Sequence, residues 1–501
     1  MNPVAAGPDR SSARATSLLA DVRLWEGCIF DGGWRPPSCQ LDVIEPATGQ
    51  RLAIVGQAST QDVADIVRTA AAAQPAWGAS YVGERAAVLR RAATLLENNR
   101  TEVATWIRRE TGSIEAKALY EVDGAIDELE HAAAILIQPE GHLLASPDPG
   151  RISFARRVPL GVVGVITPWN VPLLLAMRSV APALACGNAV VLKPDPQTPV
   201  VGGVLLCSVL AQAGLPPGTL TLVPGGAEAG EALVTAPAVR MITFTGSTAV
   251  GRRIGELAGR GLKKVALELG GNSPLIVLDD CDLEAAVSAG AFGSFFHQGQ
   301  ICMATSRHIV HRRVVNEYIE ALSAKARTLT VGDPMTPGVA IGPLINPKQR
   351  DRVHQIVTSS VTQGAQLAAG GSYEGLFYRP TVLANVLPEM PAFREEIFGP
   401  VAPIVVAEDD EHAVALANGT EYGLAAAVQT RALDRGMQIA KRLKAGMVHV
   451  NDQTVNDVTQ SPMGGVGQSG NGARFGSLVN YDEFTEWQWV TASGTPKRFP
   501  F

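Results

Sequence analysis

The sequence predicts an α/β protein in which two parallel-sheet units are followed by a small β element. Three observations carry this. From about residue 160, short β-rich runs alternate with helical stretches, the pattern of βαβ units whose sheet is covered on both faces. A second alternating series begins at SPLIVLDD (273–280), and the chain closes on the alternating, aromatic EFTEWQWVT (483–491).

Taken in order, residues 1–20 mix Arg, Ser and Ala without an apolar h-region, so they read as a flexible tail rather than a secretory signal. Residues 61–136 carry amphipathic helical patterns, ERAAVLRRAATLLENN (84–99) and TEVATWIRRE (101–110) among them, with apolar positions every three or four residues. Strands are predicted over 152–158 and 161–167, separated only by Pro159 and Leu160. The runs NAVVLKP, TLTLVPG, RMITFTG and KKVALEL follow, with helices over 199–214 and 247–259 between them. The second series continues through helix 282–297, strand 306–311 and helix 313–328 to GMVHV at 446–450. The late EFTEWQWVT strand has one apolar face left over, and pairing outside its own domain within a homo-oligomer is the simplest way to cover it.

Composition removes several function classes. With 501 residues, 46% hydrophobic and 18% charged, there is material for large cores and none of the signature of disorder. A net charge of −6 without long single-sign runs argues against a nucleic-acid partner. No run of about 18 apolar residues exists, so no membrane span is expected. The six cysteines (Cys28, Cys39, Cys186, Cys207, Cys281, Cys302) form no CxxC pair, which predicts neither disulfide framework nor zinc site and fits a reducing cytoplasm. His308 and His311 share a predicted strand, where their spacing points them to opposite faces, so no metal centre is expected there.

Several residues stand where chemistry is done. Cys302 sits in FFHQGQICMATSR between Ile301 and Met303; a lone cysteine in such company is either a buried structural thiol or a nucleophile that needs local help to ionise. Glu268 ends the alternating run of LELGGNSP beside a Gly-Gly turn, either salt-bridged in the core or a general base with a raised pKa. Asn170 of ITPWNVP and Lys193 of KPDP end consecutive strands, and ligands collect at the carboxyl ends of parallel strands. FTGSTAVGRRIG brackets a helix start with Gly246 and Gly251, an anion-binding arrangement of amides without the GxGxxG spacing. Glu395 and Glu396 of EEIFGPV read on their own as solvated loop charges.

Together, in this order from EPATGQ (45–50) to SPMGGVGQSG (461–470), these segments resemble the aldehyde dehydrogenase superfamily over nearly the whole chain. The resemblance implies an aldehyde dehydrogenase-like fold with a Rossmann-type cofactor domain (21–136 and 160–270), an α/β catalytic domain (271–479) and an oligomerisation element (137–159 and 480–501). It implies Cys302 as nucleophile, Glu268 as the base that activates water, and Asn170 as the oxyanion donor beside the Cys302 amide. Around the cofactor it places Ile166, Thr167, Pro168, Trp169, Lys193, Gly226, Gly246, Ser247 and Gly251, with Glu396 and Phe398 at the nicotinamide ribose and ring. NAD is the implied cofactor. NADP stays open, because Pro196 stands where the family often has a Glu that holds the adenine ribose. Other departures are His297 for Asn, Met463 for the Phe of PFGG, Gly467 for Lys, and Ser179 and Arg474 where some relatives carry a proton-relaying Lys and Glu.

Within the superfamily, FFHQGQICMATSRHIV, VNDQTVNDVTQSPMGGVGQSG and EFTEWQWVT are similar to the benzaldehyde and vanillin dehydrogenase branch, implying an aromatic aldehyde as substrate and a terpenoid aldehyde such as geranial as the nearest competitor. Val171, Leu174, Leu175, Ile301, Met303 and Met463 are the expected apolar pocket, which suits flat rings and branched chains about equally. Arg178, one helical turn beyond Leu174, either meets a polar ring substituent or pairs with an acidic residue. A CoA-acylating relative, or a structural protein that keeps the fold without the chemistry, is disfavoured by Glu268 and by the intact Cys302, Glu268 and Asn170 set. A small-molecule aldehyde partner, a homodimer or homotetramer, and a cytoplasmic location complete the expectations.

Overall fold

The computed structural model describes residues 17–19, 21–476 and 479–501. Of the tail expected over 1–20, all but residues 17–19 lie outside the described residues. Ser17 Oγ and the Leu18 and Leu19 amides donate to the Glu102 carboxylate, and both leucines are buried.

The first sheet has seven strands, in the order Lys264–Glu268, Val239–Thr245, Val162–Ile166, Ala189–Lys193, Leu220–Leu222, Ile29–Phe30 and Trp34–Arg35. The first five are parallel and the N-terminal pair is antiparallel at the edge. From Val162–Ile166 the chain steps outward through two strands, then crosses back to place Val239–Thr245 on the opposite flank. That reversal is the switch point at which open α/β sheets leave a crevice. Register aligns the strand ends around it: Ile166 lies opposite Lys193 and Phe244, and Thr245 opposite Glu268.

The second sheet also has seven strands, in the order Gln366–Ala369, Thr381–Ala384, Val401–Ala407, Thr305–His311, Ser273–Val277, Ala425–Gln429 and Met447–Val450, all parallel except the first. Each sheet is buried on both faces, as the continuous apolar runs require. In the third sheet Thr485–Ser493 pairs antiparallel with Arg151–Pro159, which pairs with Gly141–Leu144. The late strand thus pairs with a segment more than 300 residues earlier, and Leu143, Ile152, Trp487 and Trp489 remain exposed on this sheet.

Two elements position the site. Helix Pro172–Ala185 is buried along its whole length and packs against helix Glu115–Ile135. Glu121 of the latter accepts from the Leu173 amide at 2.7 Å, placing a carboxylate at the positive end of the buried helix. The helix expected over 282–297 ends at Phe295: His297 and Gln298 adopt left-handed backbone (φ 50° and 57°), as does Gly299. Gln298 Nε2 donates to Gly112 O and Pro343 O, and a side chain at Gly299 would meet Gly399 O at 2.2 Å, so packing holds three successive residues in a conformation few L-residues adopt. Helical periodicity in the sequence could not anticipate this, because tertiary contacts impose it.

The histidines of strand Thr305–His311 diverge as their spacing requires. His308 meets Ser294 and Tyr318, and His311 accepts from the Arg313 amide.

Candidate active site

Cys302 follows the left-handed turn and lies where two cavities meet. The larger, of about 560 Å³, opens at the switch point and is lined by Pro168, Trp169, Gly246, Ser247, Glu396 and Phe398 among others. The smaller, of about 250 Å³, is lined by Val171, Leu174, Leu175, Arg178, Ile301, Met303 and Met463. Asn170, Leu175 and Cys302 belong to both. All seven pocket residues expected from the sequence therefore share one cavity.

Cys302 is only partly exposed yet sits deep below the surface. Burial pushes its thiol up to about 12; the Glu396, Glu268 and Asp457 charges add to the rise and Arg178 opposes it. A side chain at Gly271 would come within 2.1 Å of Cys302 O, so the Gly-Gly turn lets the two backbones touch. Asn170 Nδ2 donates to Gln300 O at 2.8 Å, which fixes the amide and leaves its second N–H for a ligand. Lys117 Nζ, ion-paired with Glu121, donates to Asn170 O at 2.8 Å, so the backbone of the same residue is pinned from behind.

Glu268 is buried at the end of strand Lys264–Glu268, where no side chain among the described residues bonds its carboxylate and the Gly465 amide is the donor that faces it. Desolvation holds its carboxyl well above the ordinary carboxylate range, against weaker pulls from Arg474 and Arg178. It lines neither cavity. Its backbone is held by the Gly246 amide, which donates to Glu268 O at 3.0 Å. Glu396, read from sequence alone as a solvated charge, instead accepts from the Gly271 amide at 2.9 Å, and burial pushes it up to about 7.

The N-terminus of helix Thr248–Arg260 faces the larger cavity: Gly246, Ser247, Thr248 and Ala249 line it, and the Ser247 side chain makes no capping bond, leaving first-turn amides for an anion. Trp169 meets Phe398 edge-on at 5.3 Å in the same wall. Ile166, Thr167, Lys193, Gly226 and Gly251 do not line it. Gly251 has a packing reason instead, since a side chain there would strike Leu269 at 2.3 Å. Lys193 is buried with its Nζ donating to Pro194 O at 3.2 Å, close to the Gly226-initiated helix Ala227–Thr235.

Residues distant in sequence complete both walls. Thr248, Arg252, Gln349, Arg352, Tyr422 and Gln468 join the larger cavity. Lys117, Tyr120, Phe292, Phe296, Gln453 and Asp457 join the smaller, where Phe292 and Phe296 stack at 4.6 Å. The i, i+4 spacing of the two phenylalanines on one helical pattern was the available signal for that pair.

A family model described as the aldehyde dehydrogenase family matches residues 34–490. The chain belongs to the aldehyde dehydrogenase family. It is 54% identical over 487 residues to the vanillin dehydrogenase of an Amycolatopsis species, covering 97% of this chain and 100% of that one. It is 51% identical over 479 residues to the NAD(+) benzaldehyde dehydrogenase of Pseudomonas putida, covering 95% and 98%. Among solved structures, betaine aldehyde dehydrogenase from Staphylococcus aureus in complex with NAD+ superposes with a TM-score of 0.93 at 29% identity, covering 97% of this chain and 98% of that one. As a member of this family the chain is an oxidoreductase. No helix among the described residues is long and apolar enough to cross a membrane, and no cluster of His, Cys, Asp and Glu there could hold a metal ion.

Proposed function

We propose that this family member oxidises an aromatic aldehyde to its carboxylic acid, with NAD as acceptor, through a thioester on Cys302. The observation that carries the proposal is one sulfur at the meeting point of two unlike cavities, one fronted by free helix-start amides and the other walled by a stacked phenylalanine pair. The relatives named for vanillin and benzaldehyde support the aromatic choice. At about 250 Å³ the smaller cavity falls below the roughly 300 Å³ at which drug-sized pockets begin, and flat walls favour a single ring over a branched chain.

The larger cavity fits a dinucleotide on its own chemistry. Helix-start amides suit a pyrophosphate, and Lys193, buried outside the lining of that cavity, retains N–H groups that would serve a ribose hydroxyl reaching beyond it. Trp169, Glu396 and Phe398 would flank the nicotinamide end; Pro196 stands where the family often has a Glu, while buried Asp195 keeps a carboxyl near Lys193, so NADP is the cofactor to compare against NAD. When bound, the dinucleotide supplies the acceptor for the hydride expelled from the substrate carbon.

The remaining steps belong to the chain. Cys302 gives its proton to solvent water and, as the thiolate, adds its sulfur to the carbonyl carbon as the C=O π bond becomes an alkoxide. The free Asn170 N–H and the Cys302 amide hold that charge. The C=O bond re-forms as the C–H bond is lost, leaving the thioester. Glu268 then takes a proton from water, hydroxide adds, the C–S bond breaks, and the acid leaves with the thiol restored. The Lys and Glu relay of other relatives is replaced by buried Ser179 and by Arg474, so the proton returns to solvent along another path.

Turnover of benzaldehyde, substituted benzaldehydes, geranial and short aliphatic aldehydes with each cofactor, with acid and CoA thioester assayed as products, tests this reading. Acid from ring aldehydes is the expected result; exclusive turnover of aliphatic or terpenoid aldehydes, or dependence on CoA, overturns it. We further propose that a second copy covers the exposed third sheet in a homodimer or homotetramer, and that the enzyme works in the reducing cytoplasm, where its six free cysteines stay thiols.

A further inference from the structure

Two buried arginines in this chain are treated differently. Every nitrogen of Arg307 has a partner: Nε and Nη2 donate to Asn272 O, Nη1 to Leu416 O and Nη2 also to Ala417 O. Arg178, 5% exposed, commits Nε to Glu128 Oε1 at 2.9 Å and Nη2 to Asp457 Oδ2 at 2.6 Å, while Nη1 has no partner among the described residues. Asp457 Oδ1 is likewise unpaired and buried. Glu128 Oε2 is a third open atom of the same ion-pair cluster, and buried polar groups of this kind are ordinarily completed by a further partner.

Arg178 and Asp457 both line the cavity that holds Cys302, and Tyr120, whose hydroxyl donates to Asp457 O at 3.2 Å, lines it with them. Arg178 follows Leu174 and Leu175 by one helical turn, so it stands about 5 Å further along the helix than the apolar wall that begins at Asn170. It shares that cavity wall with Cys302, Leu174 and Leu175. Lys117, in the same wall, commits two of its three N–H groups to Glu121 and Asn170 O.

The open pair selects its ligand by chemistry. A hydroxyl is both donor and acceptor, so it has the chemistry to serve Arg178 Nη1 and Asp457 Oδ1 alike. A ring methyl satisfies neither, a methoxy group satisfies only the arginine, and a ring carboxylate meets Asp457 and Glu128 as a third anion. We infer that Arg178 and Asp457 form a hydroxyl-binding subsite that selects aromatic aldehydes carrying a ring hydroxyl remote from the aldehyde. This rests on the aromatic reading proposed above.

The test compares kcat/KM for 3- and 4-hydroxybenzaldehyde, 4-methylbenzaldehyde, benzaldehyde and 4-formylbenzoate at a pH where the phenols keep their proton. A site built to bond a hydroxyl rejects analogues lacking it by large factors, so the better hydroxybenzaldehyde is expected to exceed 4-methylbenzaldehyde by at least about 30-fold. In Asp457→Asn and in Arg178→Lys that ratio should fall toward one. Two variants are used because one of them could lose the fold, and circular dichroism identifies which retain it. Equal turnover of hydroxy- and methylbenzaldehyde by the unaltered enzyme, or an unchanged ratio in a folded variant, overturns the subsite while leaving the aromatic reading standing. Turnover confined to aliphatic aldehydes overturns both.

Discussion

At the scale of single residues, the site concentrates three acids around one thiol, and their effects have a definite sign. Burial keeps Glu268 protonated to a higher pH than an ordinary glutamate, and the base is its ionised form. Thioester hydrolysis should therefore slow as pH falls, with an apparent pKa well above the usual carboxylate range, and a kcat–pH profile with acyl-enzyme hydrolysis rate-limiting reads it. Glu268→Gln should give a single-turnover burst of reduced cofactor followed by slow release. Cys302→Ala should lower aldehyde oxidation by a factor on the order of 10⁶ while cofactor binding persists; surviving turnover would refute the thioester route. Asn170→Ala should cost about 10²–10³ in kcat. Cys302 and Glu268 each kept two readings on spacing alone, and it was the family resemblance that singled them out, with Asn170, as the candidate set. Arg178 was legible only as an alternative, and the structure joins the two halves: it pairs with acids and still lines the pocket. Its partners Glu128 and Asp457 come from segments whose approach no local pattern encodes.

Among elements, the turn after strand Lys264–Glu268 and the helix at 200–212 are the most exacting. Gly271→Ala would press Cβ against Cys302 O, so the thiol must shift; kcat should fall by about 10²-fold, as a displacement near 1 Å produces, with the fold retained by circular dichroism. Glu110 is buried and accepts from the Val200 and Val201 amides at 2.8 and 2.7 Å, and burial pushes it up to about 8. A carboxyl whose folded pKa is raised binds more protons folded than unfolded, so its contribution is intact below the unfolded value near 4.5 and is lost as pH rises through 8. Glu110→Gln should flatten that decline, which denaturant titrations across pH 5–9 measure. Most elements were readable because both seven-stranded sheets are buried on their two faces and most of their strands are short apolar runs. The turn at 297–299 was not, because its left-handed backbone is enforced by Gly112, Pro343 and Gly399 from elsewhere in the chain.

For the whole molecule, the third sheet bears on assembly. Leu143 is 81% exposed and Trp489 70%, although both lie in strands. Leu143→Arg should lower the assembly mass in light scattering with secondary structure unchanged, whereas an unaltered mass would place the interface elsewhere. The pairing of 485–493 with 151–159 could be foreseen only as a strand in need of a partner, since nine residue pairs of register depend on folds completed in between. The two cavities that converge on Cys302 have a kinetic consequence. A reaction vessel with separate doors lets its two products depart independently: the acid can leave past Phe292 and Phe296 while the reduced dinucleotide still occupies the other passage. Product inhibition by the acid should then be relieved by raising aldehyde and not by raising NAD.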